Sequence, residues 1–373
     1  MANLDSGAIG ERIAEARGRA GLTQADLASV TSLDRSALAK IETGARRVSA
    51  LELARIADAL DERIEWFVTQ TPAAILSHRN LQEPGAASPA IDRLVERITR
   101  NVELAISHDD RLQLTAPTAL RRPDTVAEAE RTATEARTLL GLTDRQPFLR
   151  VSEHVADIGL LAFAFELGSD AADAASILLT TGGVALVNGS LHVGRRRLAL
   201  VHELGHYLFA DEYNVDWRIA ERDDDDAWEA RLDRFARAVL LPPDGLRDQW
   251  TRLREDGDDL RTAAVKIGSV FCVDMSTLAR RLAELGQIDK SEAQTVRAVR
   301  TKKADIIEFG LGVRHELAAP ALPRRYEESV VRLYRGEVVS AARATDLLFD
   351  TLSEDDLPVL PPVQEGTIWK FVS

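Results

Sequence analysis

Cysteine is almost missing from this chain of 373 residues, where Cys272 stands alone. One cysteine excludes an intrachain disulfide framework and a cysteine-built structural zinc site, and it suits a reducing compartment. Long apolar runs are missing too. Nowhere do eighteen apolar residues follow one another, and the N-terminus (MANLDSGAIGERIAEARG) has no basic start ahead of an apolar stretch. Neither a membrane span nor a signal peptide is therefore expected, and the chain reads as cytoplasmic. It also lacks an excess of positive charge. Lys and Arg number 47 against 60 Asp and Glu, a formal net charge of -13. That balance argues against indiscriminate binding to nucleic acid or anionic membrane, while leaving room for one locally suited DNA-reading surface.

What is present fits a soluble globular protein, with 45% hydrophobic and 29% charged residues and length enough for two or three domains. The most informative stretch is His202-Glu203-Leu204-Gly205-His206. With seven histidines in the chain, an H-E-x-x-H pattern would arise by accident about once in a hundred such sequences. Positions four apart share one face of a helix, so His202 and His206 can present two imidazoles to one metal ion with Glu203 beside them. Gly205 inside that helix costs about 1 kcal/mol relative to alanine, which predicts a close neighbour.

A catalytic zinc site takes three protein ligands and leaves a position open, so a third ligand is required downstream. The next helical stretch, from Trp228 to Leu241, follows an acidic run from Glu221 to Asp226 and places Glu229 and Asp233 on one face. Spacing alone leaves two readings for this pair: a ligand with a carboxylate that orients one histidine, or a solvated face paired with Arg231 or Arg237.

Residues 8 to 68 read as short helices with clear punctuation. Thr23 with Asp26 and Ser49 with Glu52 have capping-box spacing, Asp34 is a candidate N-cap, and Gly21 and Gly44 are helix stops. Two short helices joined tightly within an all-helical unit lay the second helix in a DNA major groove, with Arg35, Ser36 and Lys40 as candidates to meet it. GLTQADLA followed by RSALAKIETGARRVSALELARIADAL resembles the XRE (lambda-repressor-like) helix-turn-helix family. The resemblance implies that Gln24 and Ser36 contact backbone or bases, that Arg35 and Lys40 lie on the recognition helix, and that Arg46 and Arg47 lie near phosphates. Where that family often has glycine in the turn, this chain has Thr31-Ser32-Leu33, so Ser32 or a neighbour is expected to adopt an unusual backbone angle.

RRRLALVHELGHYLF together with EARLDRFARAVLLPP is similar to the ImmA/IrrE metallo-endopeptidase family over about Pro123 to Leu285. By that resemblance His202, His206 and Glu229 hold zinc, Glu203 is the catalytic acid and base, and Asp233 fixes a ligand histidine. Two imidazoles and a carboxylate also accept Fe2+ or Mn2+. Ala230-Arg231-Leu232 departs from the family's usual pattern without touching a ligand position. His192 and Tyr213 are weaker candidates for stabilising an oxyanion.

The remaining expectations are architectural. Residues 1–70 form the helix-turn-helix domain, 71–122 a linker with a helix near 90–106, and 123–245 a peptidase domain with two buried strands, Gly159–Phe165 and Gly183–Val187. Residues 246–290 form a winged-helix-like helical tail, and 291–373 a helical region of no assigned role that ends in the strand-like TIWKFV. The fold class is mainly α with a small β-sheet. His315-Glu316-Leu317 imitates the metal motif's start but continues Ala318-Ala319, and is expected to bind nothing. Together these features predict a regulator with a zinc endopeptidase domain. Its expected partners are a double-stranded DNA operator, bound as a homodimer, and a repressor or antitoxin-like protein substrate or a cognate toxin, in stress, phage-type or toxin–antitoxin control. The rival reading is a non-catalytic regulator or antitoxin whose metal site is sensory or structural.

Overall fold

A computed structural model describes residues 6–60, 62, 64–68, 76–79, 89–115, 119–168, 173–179, 181–210 and 222–360. The chain divides into two compact units, residues 1–74 and 75–373. The smaller contains α1 (Ser6–Arg19), α2 (Gln24–Thr31), α3 (Arg35–Glu42), α4 (Ala50–Ala59) and α5 (Ile64–Val68). Local sequence signals produce most of these boundaries. Thr23 and Ser49 each accept a backbone N–H three residues on while Asp26 and Glu52 reach back, so both capping boxes form. Asp34 occupies the N-cap of α3 but makes no side-chain cap bond. Ser32 takes the left-handed conformation at φ 58°, as the missing turn glycine requires. Ile13, Leu27, Leu38, Ile41, Ile56 and Phe67 fill the unit's own core.

The larger unit is built on a mixed sheet of four strands, β1 (Leu76–Arg79), β2 (Leu160–Phe165), β3 (Ala174–Leu179) and β4 (Gly182–Asn188), in the order β1-β3-β4-β2. β2 runs parallel to β4, while β3 is antiparallel to both β4 and β1. Two of these strands, β1 and β3, are not among the two expected. Three helices, α6 (Pro89–His108), α7 (Val126–Leu139) and α8 (Val151–Asp157), precede or flank β2, and α9 (Val193–Leu208) and α10 (Arg222–Leu240) follow the sheet. The C-terminal part adds α11 (Pro243–Glu255), α12 (Leu260–Phe271), α13 (Met275–Glu284), α14 (Lys290–Ala298), α15 (Lys303–Glu308), α16 (Arg324–Arg335) and α17 (Ala341–Leu347).

Side chains alternate across a strand, and here both faces are buried. Leu160, Ala162, Ala164, Ala174, Ala185 and Val187 belong to one core with α9 and α10. Four of the six are alanines, small enough to let α9 lie close to the sheet. Leu161, Phe163, Ala175, Ile177, Val184 and Leu186 are buried with the opposite parity. On that second side Phe163 meets Tyr326 of α16 and Phe349 edge-on or tilted, and α6 packs against β3, β4 and α16.

This arrangement changes two expectations. The helix in 71–122 is not part of a spacer: Ile91, Val95, Ile98, Val102 and Ala105 are buried where α6 covers the sheet. The C-terminal region likewise gains a role as the sheet's second cover, and Ala321 exchanges two backbone hydrogen bonds with Ala164 of β2 (2.8 and 2.9 Å). Residues 246–290 share the main core through Ile267, Leu278 and Leu282, and no strand occurs there among the described residues. Arg281 is fully buried against Glu130 and the Leu241 carbonyl. Cys272 is buried, its thiol 3.3 Å from the Ser269 carbonyl. No single described helix is long and apolar enough to cross a membrane. The Pro84–Pro89 stretch up to residue 88, Tyr213, Glu221 and TIWKFV lie outside the described residues.

Candidate metal centre

α9 is buried almost all round, and His202, Glu203 and His206 are 1%, 0% and 4% exposed. The helix can sit this deep because its central glycine is covered. A Cβ on Gly205 would lie 2.3 Å from Leu232 Cδ1 and 3.2 Å from the Phe235 ring, so α10 crosses against the bare backbone there. Leu232, one of the three residues at which the sequence departs from the family pattern, supplies that closest contact.

The close crossing brings Glu229 and Asp233 to the histidines. His202 Nε2 lies 3.1 Å from Glu229 Oε2, and His206 Nε2 lies 3.7 Å from Glu229 Oε1. Tetrahedral ligands held at about 2.0–2.1 Å from zinc stand about 3.3 Å apart, so these separations fit one shared ion. His202, His206 and Glu229 each offer a ligand atom within 4.8 Å of the others. Burial pushes the Glu229 carboxyl up, but the nearby imidazoles of His202 and His206 hold it below its ordinary value. Asp233 Oδ1 is 3.0 Å from His202 Nδ1, on the ring's other side. When Nδ1–H donates to that carboxylate, the Nε2 lone pair is left for a metal.

Glu203 is held from the sheet rather than from a helix. Ser176 Oγ on β3 donates to its Oε2 at 2.5 Å, and its Oε1 is buried with no hydrogen-bond partner among the described residues. Ser176 shares strand parity with Ala174 and so faces α9. Sequence reasoning missed it because β3 was not recognised as a strand. His192 is an exposed N-cap ten residues before His202, roughly 15 Å along the helix, and cannot share its reaction space. Asn188 serves the turn, accepting from Leu167 and Ser190 and donating to the Gly168 carbonyl. Glu316 does have a partner: it accepts from the backbone and hydroxyl of Ser152 and pairs with the buried Arg197 of α9. Glu316 of the imitation motif thus anchors the helix that carries His202 and His206.

In the smaller unit Arg35, Ser36, Lys40 and Arg47 are exposed, whereas Gln24 and Arg46 have partners within the protein. Gln24 donates to Glu42 at 2.7 Å, and Arg46 pairs with Glu52 at 2.6 Å. Glu42 is itself gripped twice by Arg17, at 2.7 and 3.1 Å, which pins α3 to α1.

A family model for helix-turn-helix domains matches residues 13–67, and one for the IrrE N-terminal-like domain, an M78 peptidase family, matches residues 155–283. The chain carries a helix-turn-helix domain followed by an IrrE N-terminal-like domain. The second match contains His202, Glu203, His206, Glu229 and Asp233, while Glu316 and the helices that cover the far side of the sheet lie beyond it. Among solved structures, the restriction-modification controller protein C.AhdI from Aeromonas hydrophila is 35% identical, covering 17% of this chain and 94% of its own, with a TM-score of 0.16. No curated protein matches the chain.

Proposed function

We propose that this chain is a cytoplasmic DNA-binding regulator whose IrrE N-terminal-like domain is a metal-dependent endopeptidase. On this reading it cuts a repressor or antitoxin-like protein in stress, phage-type or toxin–antitoxin control. The observation that carries the reading is the His202–His206–Glu229 donor set beside a buried Glu203, one oxygen of which has no partner among the described residues. Zinc, or Fe2+ or Mn2+ in its place, would polarise the scissile carbonyl and bring the pKa of water towards roughly 7. The chain's own part is proton handling. Ser176 holds Glu203 Oε2, so Oε1 is the oxygen that takes a proton from the attacking water and then delivers it to the amine nitrogen as the C–N bond breaks. Asp233 keeps His202 in the tautomer that a metal requires.

The second reading is a non-catalytic regulator or antitoxin whose metal site senses metal or holds the fold, favoured by the depth of His202 and Glu203. Coordination separates the two. X-ray absorption at the zinc edge of the loaded protein is expected to show two imidazoles, one carboxylate and a water-type oxygen. A fourth protein ligand closing the site would favour the second reading, and failure to bind zinc, iron or manganese would sink both.

On the DNA side, Arg35, Ser36 and Lys40 are read as the major-groove face of α3, with Arg47 near phosphates. Gln24 and Arg46 contact DNA only by sharing their Glu42 and Glu52 partners. Ile64 and Val68, four apart on α5 and 43% and 37% exposed, supply apolar surface for a homodimer on a palindromic operator. Arg35→Ala with Lys40→Ala is expected to weaken binding to the promoter of the chain's own gene at least tenfold and to flatten its salt dependence by about one ion. Electrophoretic mobility shifts over a salt series would show this, and equal affinity of the variant would count against the interface.

A further inference from the structure

Asp233 faces two ways. Its Oδ1 meets His202 Nδ1 at 3.0 Å, and its Oδ2 lies 3.9 Å from Arg237 Nη1, one turn further along α10. Arg237 is 7% exposed and turns its other edge to Glu284 at the end of α13, with Nε and Nη2 at 3.1 and 2.8 Å from Oε1. Glu284 Oε2 in turn is 3.0 Å from Arg234 Nη1 and 3.7 Å from Arg281 Nη1. Arg234 and Arg281 share Glu130 of α7. Among the described residues, Asp233, Glu284 and Glu130 thus join Arg234, Arg237 and Arg281 in one continuous network that ends on a ligand histidine.

We propose that Arg237 and Glu284 are positioning residues that set the metal affinity of the His202–His206–Glu229 centre by keeping Asp233 on His202. The inference rests on the metal-centre reading and not on peptide cleavage. A buried guanidinium needs carboxylate partners. With Glu284 present, Arg237 is engaged on the α13 side and its contact with Asp233 stays long. Without Glu284, Arg237 turns to Asp233 and competes with the His202 Nδ1–H for its oxygens. That competition lowers affinity for a divalent ion.

The test is zinc affinity of the full chain, measured by competition with a chromophoric chelator at fixed pH, with apo-protein melting followed in parallel. Glu284→Gln is expected to weaken zinc binding about tenfold, within the range of roughly 10–100-fold for residues that support metal ligands. Glu284→Asp, which keeps the charge, restores most of the affinity. In an Asp233→Asn background the same Glu284→Gln change costs less than about twofold, because residues of one network are not additive. If Glu284→Gln melts below the titration temperature, Arg237→Lys carries the test, with the same loss expected from a charge that cannot fork. Wild-type affinity in Glu284→Gln, or an undiminished loss in the Asp233→Asn background, overturns the proposal while leaving the metal centre standing. A wild-type chain that binds none of zinc, iron and manganese overturns both.

Discussion

Glu316→Ala is expected to destabilise the larger unit by about 3–5 kcal/mol, the cost of leaving a buried charge without its partner. Arg197 has a fully buried side chain on the metal helix, and its guanidinium pairs with Glu316 while also donating to the Phe148 carbonyl. Glu316 in addition caps the start of α8 by accepting from Ser152 N at 3.0 Å. Removing the carboxylate therefore strands a charge and releases a helix start at once. The pair is expected to be worth less than its breakage costs, so Arg197→Met with Glu316→Leu should recover much of the loss. Hydrogen exchange of the α9 amides would report the opening free energy locally in this two-unit chain. A change below about 1 kcal/mol in Glu316→Ala would mean that the anchor is dispensable.

That anchor illustrates what the sequence could not disclose. Features fixed within a few residues were legible: the capping boxes at Thr23 and Ser49, the strained Ser32, the glycine under a close contact at Gly205, and two imidazoles one turn apart. Glu229 and Asp233 were legible as a face, but only family resemblance chose their role, and the crossing of α10 over Gly205 is what makes the choice physical. β3 was missed because Ala174 and Ala175 carry little intrinsic strand preference, and their state is set by lying between β1 and β4. Ser176 was lost with it. Glu316 and Arg197 are 119 residues apart, as no local pattern could reveal. For the same reason the helices at 89–108 and 324–335 gave away their apolar faces but not the sheet they cover.

The larger functional effect is expected from Glu203→Gln, which keeps the shape of the side chain and removes its ability to take a proton. A positioned general acid and base contributes typically about 10²–10⁴-fold, so cleavage should fall by that factor. Glu203 is not among the His202, His206 and Glu229 donors, so zinc binding should persist within about twofold. Ser176→Ala should cost less, since it frees Oε2 without removing the carboxylate.

The most direct measurement is a comparison of the new protein N-termini generated by zinc-loaded wild-type and Glu203→Gln chains in an extract of cells that normally carry the protein. A switch with one or few substrates predicts a small set of cuts with the wild-type chain that vanishes in the variant while its zinc content is unchanged. Identical N-termini from both zinc-loaded chains would contradict the peptidase account.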